Sequence, residues 1–145
     1  MDDLYIVRDL NDPYAILTVE DPVRPEILPE DRISENKEVI LLLDENKTPA
    51  AIVCVSYQDQ VPIDTDQLIE SDTPSIAVFY TIWSYVPGAG KKLLEKAKDY
   101  IKHNRPHIQR FVTLSPKTEL AEKFHLGNGA VILNKNENSV NYEYL

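Results

Sequence analysis

The run from Ser75 to Ser84 (SIAVFYTIWS) is apolar, aromatic and rich in β-branched residues, and a glycine-containing turn follows it directly. Such a run predicts a strand that is buried on both faces of a sheet. Apolar residues then repeat at the spacing of one helical face, at Leu93, Leu94, Ala97, Tyr100 and Ile101. This pattern predicts an amphipathic helix from about Gly90 to His103, which Pro106 ends. A buried strand that enters a helix through glycines is typical of an α/β protein.

Further strands are predicted on both sides of this unit. Two apolar runs at 38–43 and 50–56 enclose turn-forming residues at 44–48, which predicts a β-hairpin. The other predicted strands are Leu4–Arg8, Ile108–Leu114, and a closing hairpin of Ala130–Leu133 with Val140–Leu145. The order of hairpin, strand, helix, strand, helix and hairpin implies a mixed, mostly antiparallel sheet flanked by helices, in the α/β (α+β) class.

Three segments carry less regular patterns. Ser115 before Pro116 predicts the N-cap of a second helix that ends near Gly127, because proline suits the first helical position. Residues 64–71 predict a short helix, and the proline-rich, acidic stretch 20–36 predicts a surface connection. The 145 residues fit one domain, with an irregular N-terminal segment at 1–36 and a core at 37–145.

The charge distribution excludes several classes of partner. Residues 1–72 carry 18 acidic and 5 basic side chains, whereas residues 73–145 carry 6 acidic and 10 basic ones. An acidic chain without a basic stripe is not expected to bind nucleic acid, although its basic half suits a small polyanion such as a nucleotide. No apolar run approaches the ~20 residues that cross a membrane. Nothing in the pattern indicates an oligomeric state.

Cysteine and histidine usage indicates the compartment and argues against a metal site. The single cysteine, Cys54, lies in an apolar run and has no partner for an internal disulfide, which favours a reducing, cytoplasmic setting. The acidic start of the chain does not resemble a signal peptide. His103 and His107 flank the end of the first helix and are expected at the surface. These residues offer no metal-ligand spacing.

The glycine turn is the first candidate binding site. Gly88-Ala89-Gly90 leads into the first helix, whose free N–H groups and positive dipole end suit a phosphate. Lys91 and Lys92 would add two positive charges to that site. The alternative is a plain tight turn with solvated lysines. A nicotinamide dinucleotide site is disfavoured, because no acidic residue follows at the end of the next strand.

From about residue 37 onward the order of elements resembles the GNAT-type acyltransferase fold. Four segments also resemble the catalytic domain of malonyl-CoA decarboxylase, whose motifs read roughly AIFYSIS, FxTLSP, FHLxNGA and VNYxY. The corresponding segments here are Ala77–Ile82, Phe111–Pro116, Phe124–Ala130 and Val140–Tyr144. The resemblance does not extend to the helical domain of that family. The stretch around the glycine turn and the segment between Ala130 and Val140 are shorter than in the family.

The resemblance implies site residues for an acyl-CoA ligand, either malonyl-CoA or acetyl-CoA. His125 matches the family's catalytic histidine, whereas the family's catalytic serine is replaced by Trp83. Ser84 is then the nearest hydroxyl and Thr81 stands at the other serine of the segment, so His125, Ser84 and Thr81 are the catalytic candidates. The residues expected to bind the CoA moiety are Tyr85, Gly88, Ala89, Gly90, Lys91 and Lys92.

Three functions remain open at this stage. The first is a malonyl-CoA decarboxylase-like lyase in which His125 supplies a proton to the enolate. The second is an N-acyltransferase that uses acetyl-CoA, with Asp64 and Asp66 attracting a cationic acceptor. The third is a CoA-binding or interaction module without catalytic activity. For His125 the alternative role is a simple helix-end residue that interacts favourably with the helix dipole.

Overall fold

A seven-stranded sheet forms the centre of the computed structural model, which describes residues 2–145. The strands are β1 (Asp3–Val7), β2 (Lys37–Leu43), β3 (Pro49–Gln58), β4 (Ile76–Ser84), β5 (Arg110–Thr113), β6 (Ala130–Lys135) and β7 (Val140–Tyr144). Their order across the sheet is β1-β2-β3-β4-β5-β7-β6. All neighbouring strands are antiparallel except β4 and β5, which are parallel. The predicted mixed, mostly antiparallel sheet is therefore confirmed.

Two α-helices complete the fold: α1 (Ala89–Asn104), which connects β4 to β5, and α2 (Glu119–Gly127). The buried residues of α1 form one stripe, at Leu93, Leu94, Ala97 and Ile101, and pack on the sheet face that includes Val53 and Phe79. The opposite face, which includes Ile52 and Val78, is covered by the N-terminal segment through residues such as Ala15 and Ile27. Both sheet faces are buried, as the apolar run of β4 predicted.

The second helix begins later than the sequence predicted. Ser115 does not cap a helix, because its backbone N–H and C=O both bond to Val140 and its hydroxyl donates to Thr113 Oγ1 at 2.8 Å. These bonds hold Ser115 beside β7. The N-cap is instead Thr118, whose side chain accepts a hydrogen bond from the backbone N–H of Ala121.

The predicted helix at 64–71 is reduced to a single 3₁₀ turn, Thr65–Gln67. The carbonyl of Gln67 accepts a hydrogen bond from the side chain of Gln58 at 3.0 Å. The side-chain oxygen of Gln67 accepts a hydrogen bond from the backbone N–H of Ile63. The segment is thus tied to β3 by side-chain hydrogen bonds, and the helix does not continue.

The stretch 20–36 is more than a surface connection, which corrects the sequence prediction. Asp21 and Arg32 are buried, and Arg32 donates to Asp21 Oδ2 at 2.7 Å. The remaining Arg32 donors bond to the carbonyls of Arg24 and Ile27 and to Cys54 Sγ. Asp21 Oδ1 accepts from the hydroxyl of Thr81 on β4 at 2.9 Å. A buried charge is stable only when its partners satisfy it, and here each ion is fully hydrogen-bonded.

Replacing Arg32 with Met is expected to destabilise the fold by about 3–5 kcal/mol, because Asp21 would remain as a buried, unpaired charge. Arg110→Met is the matched control, since Arg110 pairs with Glu143 at a site where its side chain is 41% exposed. Loss of that pair should cost no more than about 1 kcal/mol. Urea unfolding at pH 7 measures both effects, and equal losses in the two variants would contradict the assigned role of Arg32.

Candidate functional site

A cleft opens where β4 and β5 part. The two strands are paired only as far as Phe79 and Thr113, and a bulge adds Tyr80 as an extra residue in β4 opposite β3. Beyond this point the guanidinium of Arg24 bridges the separated strands, donating to the carbonyl of Tyr80 at 3.3 Å and to that of Leu114 at 3.1 Å. Backbone acceptors that lose their partner strand need other donors, and Arg24 provides them.

The cleft contains a cavity of about 370 Å³, which we call the inner cavity. Its lining comes from the N-terminal segment, β4, α1, the segment after β5, and α2: Pro22, Val23, Phe79, Tyr80, Thr81, Ile82, Trp83, Ser84, Gly90, Leu94, Leu114, Ser115, Pro116, Thr118, Leu120, Ala121, Phe124 and His125. No Asp, Glu, Lys or Arg is among these residues. The lining of the inner cavity is therefore uncharged, and its hydrogen-bonding side chains are Tyr80, Thr81, Trp83, Ser84, Ser115, Thr118 and His125.

His125 is the titratable imidazole of this cavity. It lies near the end of α2 and is only 5% exposed. Its Nδ1 is 2.7 Å from the hydroxyl of Tyr144, and its ring stacks on Tyr142 at 5.0 Å between centroids. Burial lowers the pKa of His125 to about 4, so the imidazole is neutral near pH 7. The side chain is more than a helix-end residue, because it faces the cavity and has a buried polar partner.

The hydroxyl candidates on β4 have different surroundings. Thr81 is buried and its hydroxyl proton is donated to Asp21, so it has no proton left to donate to a ligand. Ser84 is exposed at the end of β4, lines the inner cavity and has no side-chain hydrogen bond within residues 2–145. Trp83 also lines the cavity, and its Nε1 donates to the hydroxyl of Tyr85 at 3.1 Å.

The glycine turn lies at a second cavity of about 340 Å³, the outer cavity, which includes Gly88, Ala89 and Lys92 in its lining. Gly88 has φ +81°, a left-handed conformation that favours glycine. No side chain caps α1, so the positive end of the helix faces this region. Lys92 is paired with Asp2 at 3.0 Å, and Asp44 also lines the cavity.

The other members of the predicted CoA-binding set lie elsewhere. Gly90 lines the inner cavity, where an added Cβ would lie 3.2 Å from Cε1 of Phe124. A larger residue there would press on Phe124, so glycine suits the close approach of α1 and α2. Tyr85 lines neither cavity, and its hydroxyl donates to Glu20 at 2.5 Å. Lys91 is exposed and also lines neither cavity.

Sequence reasoning missed the contributions of the N-terminal segment and of the last strand. Pro22 and Val23 line the inner cavity, and Arg24 donates to the carbonyls of two other lining residues. No motif marks the stretch 20–36. Tyr144 belongs to the VNYxY-like segment that the sequence analysis noted, but nothing in that pattern identifies it as the partner of His125. The only sequence signal for Tyr144 was its place in that segment, to which no role was assigned.

Solved structures with the same architecture include two kinds of protein. Malonyl-CoA decarboxylase from Agrobacterium vitis matches with a TM-score of 0.69 and 19% identity, over 85% of this chain and 35% of that one. The PaiA N-acetyltransferase from Thermoplasma acidophilum, in complex with coenzyme A, matches with a TM-score of 0.67 and 11% identity over 98% of both chains. An acetyltransferase of the GNAT family from Staphylococcus aureus matches with a TM-score of 0.60 and 12% identity, again over 98% of both.

The fold is GNAT-like. The likeness to malonyl-CoA decarboxylase confirms the resemblance derived from the sequence, and the chain spans about a third of the length of that protein. No protein-family model matches the sequence, and no curated protein matches it. In this GNAT-like domain, no helix within residues 2–145 has the length and apolar character needed to cross a membrane. Over the same range, no group of His, Cys, Asp or Glu side chains is arranged to hold a metal ion.

The buried histidine of this GNAT-like domain predicts a specific pH dependence of stability. His125 has a pKa of about 4 when folded and 6.5 as the ordinary value, so the unfolded state binds more protons between these limits. The contribution of the neutral imidazole to the free energy of unfolding is therefore fully present above pH 6.5 and is lost as the pH falls through 4. Between pH 7 and pH 5 the loss should be about 2 kcal/mol.

Urea unfolding of the native chain, His125→Gln and His103→Gln at pH 7 and pH 5 measures this effect. We expect the pH dependence to be smaller by about 2 kcal/mol in His125→Gln alone. His103 is the control because it is exposed on the surface of α1. An unchanged pH dependence in His125→Gln would contradict the neutral, buried state of the imidazole.

Proposed function

We propose that this chain binds a CoA thioester, with the phosphates at the outer cavity and the acyl group in the inner cavity. The support at the outer cavity is an uncapped helix start, the left-handed Gly88 and the ammonium group of Lys92. Unpaired N–H groups at a helix start suit phosphate oxygens. Asp2 and Asp44 oppose this, so a phosphate would displace Asp2 from Lys92.

The proposed reaction is decarboxylation of a malonyl thioester. The observation that carries this choice is the absence of charged side chains from the lining of the inner cavity. A carboxylate placed there would lose its water shell and meet no charged side chain in the lining, which favours departure of CO₂. The bonding electrons move to the thioester oxygen as an enolate, which needs a hydrogen-bond donor and then a proton at carbon.

In the proposed reaction, Ser84 donates a hydrogen bond to the enolate oxygen and His125 supplies the proton at carbon. His125 lines the inner cavity with one ring nitrogen held by Tyr144, which leaves Nε2 for the ligand. The hydroxyl of Ser84 has no competing partner within the described residues and lines the same cavity. In this scheme Thr81 does not take part directly, since its proton is donated to Asp21. Its role is to hold β4 against the N-terminal segment.

Acetyl transfer to an amine is the second candidate, favoured by the match to an N-acetyltransferase over 98% of both chains. That reaction needs a base to deprotonate the amine and benefits from acidic groups that attract it. Asp64 and Asp66, the acids that the sequence offered for this role, do not line the inner cavity. Decarboxylation needs neither group, and we therefore prefer it.

Ligand binding is tested by the melting temperature in the presence of CoA. At a hundredfold excess over Kd the stabilisation should reach ~2.7 kcal/mol. Lys92→Met should weaken CoA binding roughly tenfold, the effect of one charge-assisted hydrogen bond, whereas Asp2→Asn should strengthen it. Lys96→Met is the control, because Lys96 is exposed one turn further along α1 and lines neither cavity. No stabilisation of the native chain at millimolar CoA would exclude the site.

Catalysis is tested by incubating the chain with malonyl-CoA and following acetyl-CoA by mass. His125→Gln should reduce kcat by ~10²–10⁴-fold with little change in CoA affinity, because the phosphates bind at the outer cavity. His103→Gln should retain full turnover. CoA binding without turnover in the native chain would favour the non-catalytic module, and transfer from acetyl-CoA to an amine would favour the second candidate.

A further inference from the structure

The partner of His125 is a tyrosine on the last strand, and their contact defines the state of the imidazole. Tyr144 Oη lies 2.7 Å from Nδ1 of His125, and both side chains are buried. Within residues 2–145 neither side chain has another hydrogen bond. A phenol and a neutral imidazole nitrogen can each donate or accept, so the position of the proton follows from what either arrangement would leave unpaired.

Donation from the tyrosine satisfies both groups. If Nδ1 carried the proton, the O–H of Tyr144 would be buried without an acceptor, and such orphaned donors are strongly disfavoured. Burial also raises the pKa of Tyr144, so the phenol keeps its proton. The O–H of Tyr144 therefore donates to Nδ1, and the single ring proton of neutral His125 lies on Nε2. Since His125 lines the inner cavity, Nε2–H is the donor left for a ligand.

The surroundings of the pair leave its neutral form intact. The titratable and charged groups near it are Tyr142 on β7, Lys98 on α1, whose ammonium lies 4.6 Å above the Tyr144 ring, and Glu122 on α2 beside Tyr142. None of these side chains forms a hydrogen bond or an ion pair with His125 in the described part of the chain. No carboxylate therefore stabilises an imidazolium in this position.

We propose that Tyr144 is the positioning residue that holds His125 as the Nε2–H tautomer, so that the neutral imidazole presents its Nε2 proton to the enolate carbon. Tyr144 also supplies the proton that Nδ1 of His125 takes up when the Nε2 proton leaves. The inference deepens the decarboxylase function proposed above and rests on it for its catalytic part. The geometry of the Tyr144–His125 pair stands independently of that function.

The proton balance of the reaction requires such a source. After CO₂ has left, the Nε2 proton of His125 moves to the enolate carbon, and Nδ1 takes the proton of Tyr144. His125 ends as the Nδ1–H tautomer and Tyr144 as a transient tyrosinate, which burial destabilises and which therefore regains a proton from water, leaving hydroxide. Without the tyrosine, Nδ1 would have to take its proton directly from water, since His125 would otherwise end as an imidazolate.

The ring of His125 reports its tautomer directly. In protein labelled with ¹⁵N-histidine there are three histidines to resolve, and His125→Gln assigns the signal of interest. At pH 7 we expect the Nε2–H tautomer in the native chain and a mixed or reversed population in Tyr144→Phe. Tyr142→Phe is the matched control, because this residue stacks on the same imidazole and does not hydrogen-bond to it.

Turnover provides the second readout. Tyr144→Phe should lower kcat with malonyl-CoA by ~10²–10⁴-fold with KM little changed, and Tyr142→Phe should stay near the native rate. An Nδ1–H signal in the native chain, or the same tautomer in Tyr144→Phe, would overturn the positioning role. Native turnover in Tyr144→Phe would overturn the proton relay. If the native chain and all variants lack turnover but show the expected tautomers, the decarboxylase function is refuted and the assignment of Tyr144 stands.

Discussion

The parting of β4 from β5 is the constraint on which the candidate site depends. The last hydrogen bond between the parallel strands runs from the Leu114 N–H to the Phe79 carbonyl, and β4 carries its bulge at the next residue, Tyr80. Separated strands leave backbone groups without partners, which is tolerable only when other donors replace them. Arg24 does so for the carbonyls of Tyr80 and Leu114. The cleft is thus held open by hydrogen bonds from outside the sheet.

The N-terminal segment is therefore part of the site and also covers the sheet. Its buried pair, Arg32 and Asp21, orders the chain from which Pro22 and Val23 reach the inner cavity. The same Asp21 binds the hydroxyl of Thr81 and thereby fixes β4 at its bulge. One ion pair consequently couples the fold of an irregular segment to the shape of the cavity. A buried pair of this kind is sensitive to loss of either partner.

The outer cavity has charged side chains in its lining, whereas the inner cavity has none. A CoA thioester likewise carries its phosphates at one end and its acyl group at the other. At the outer cavity the start of α1 and Lys92 suit the proposed phosphates, whereas Asp2 and Asp44 oppose them. The inner cavity has no charged lining, and its imidazole is neutral. In the proposed decarboxylation, a carboxylate would lose its water in this uncharged lining, and that loss is the physical basis of the proposal.

The sequence by itself determined the strands, α1 and the GNAT-like order of elements, because these follow from apolar periodicity and turn residues close together in the chain. It also marked His125 through a motif. Only the tertiary structure decided that Ser115 pairs with Val140, that Thr81 is bound to Asp21 and that Tyr144 holds His125. The bonding atoms of these pairs come from residues 19 or more positions apart. Hydrogen bonds between such distant residues leave no local pattern, since packing of the sheet and helices creates them.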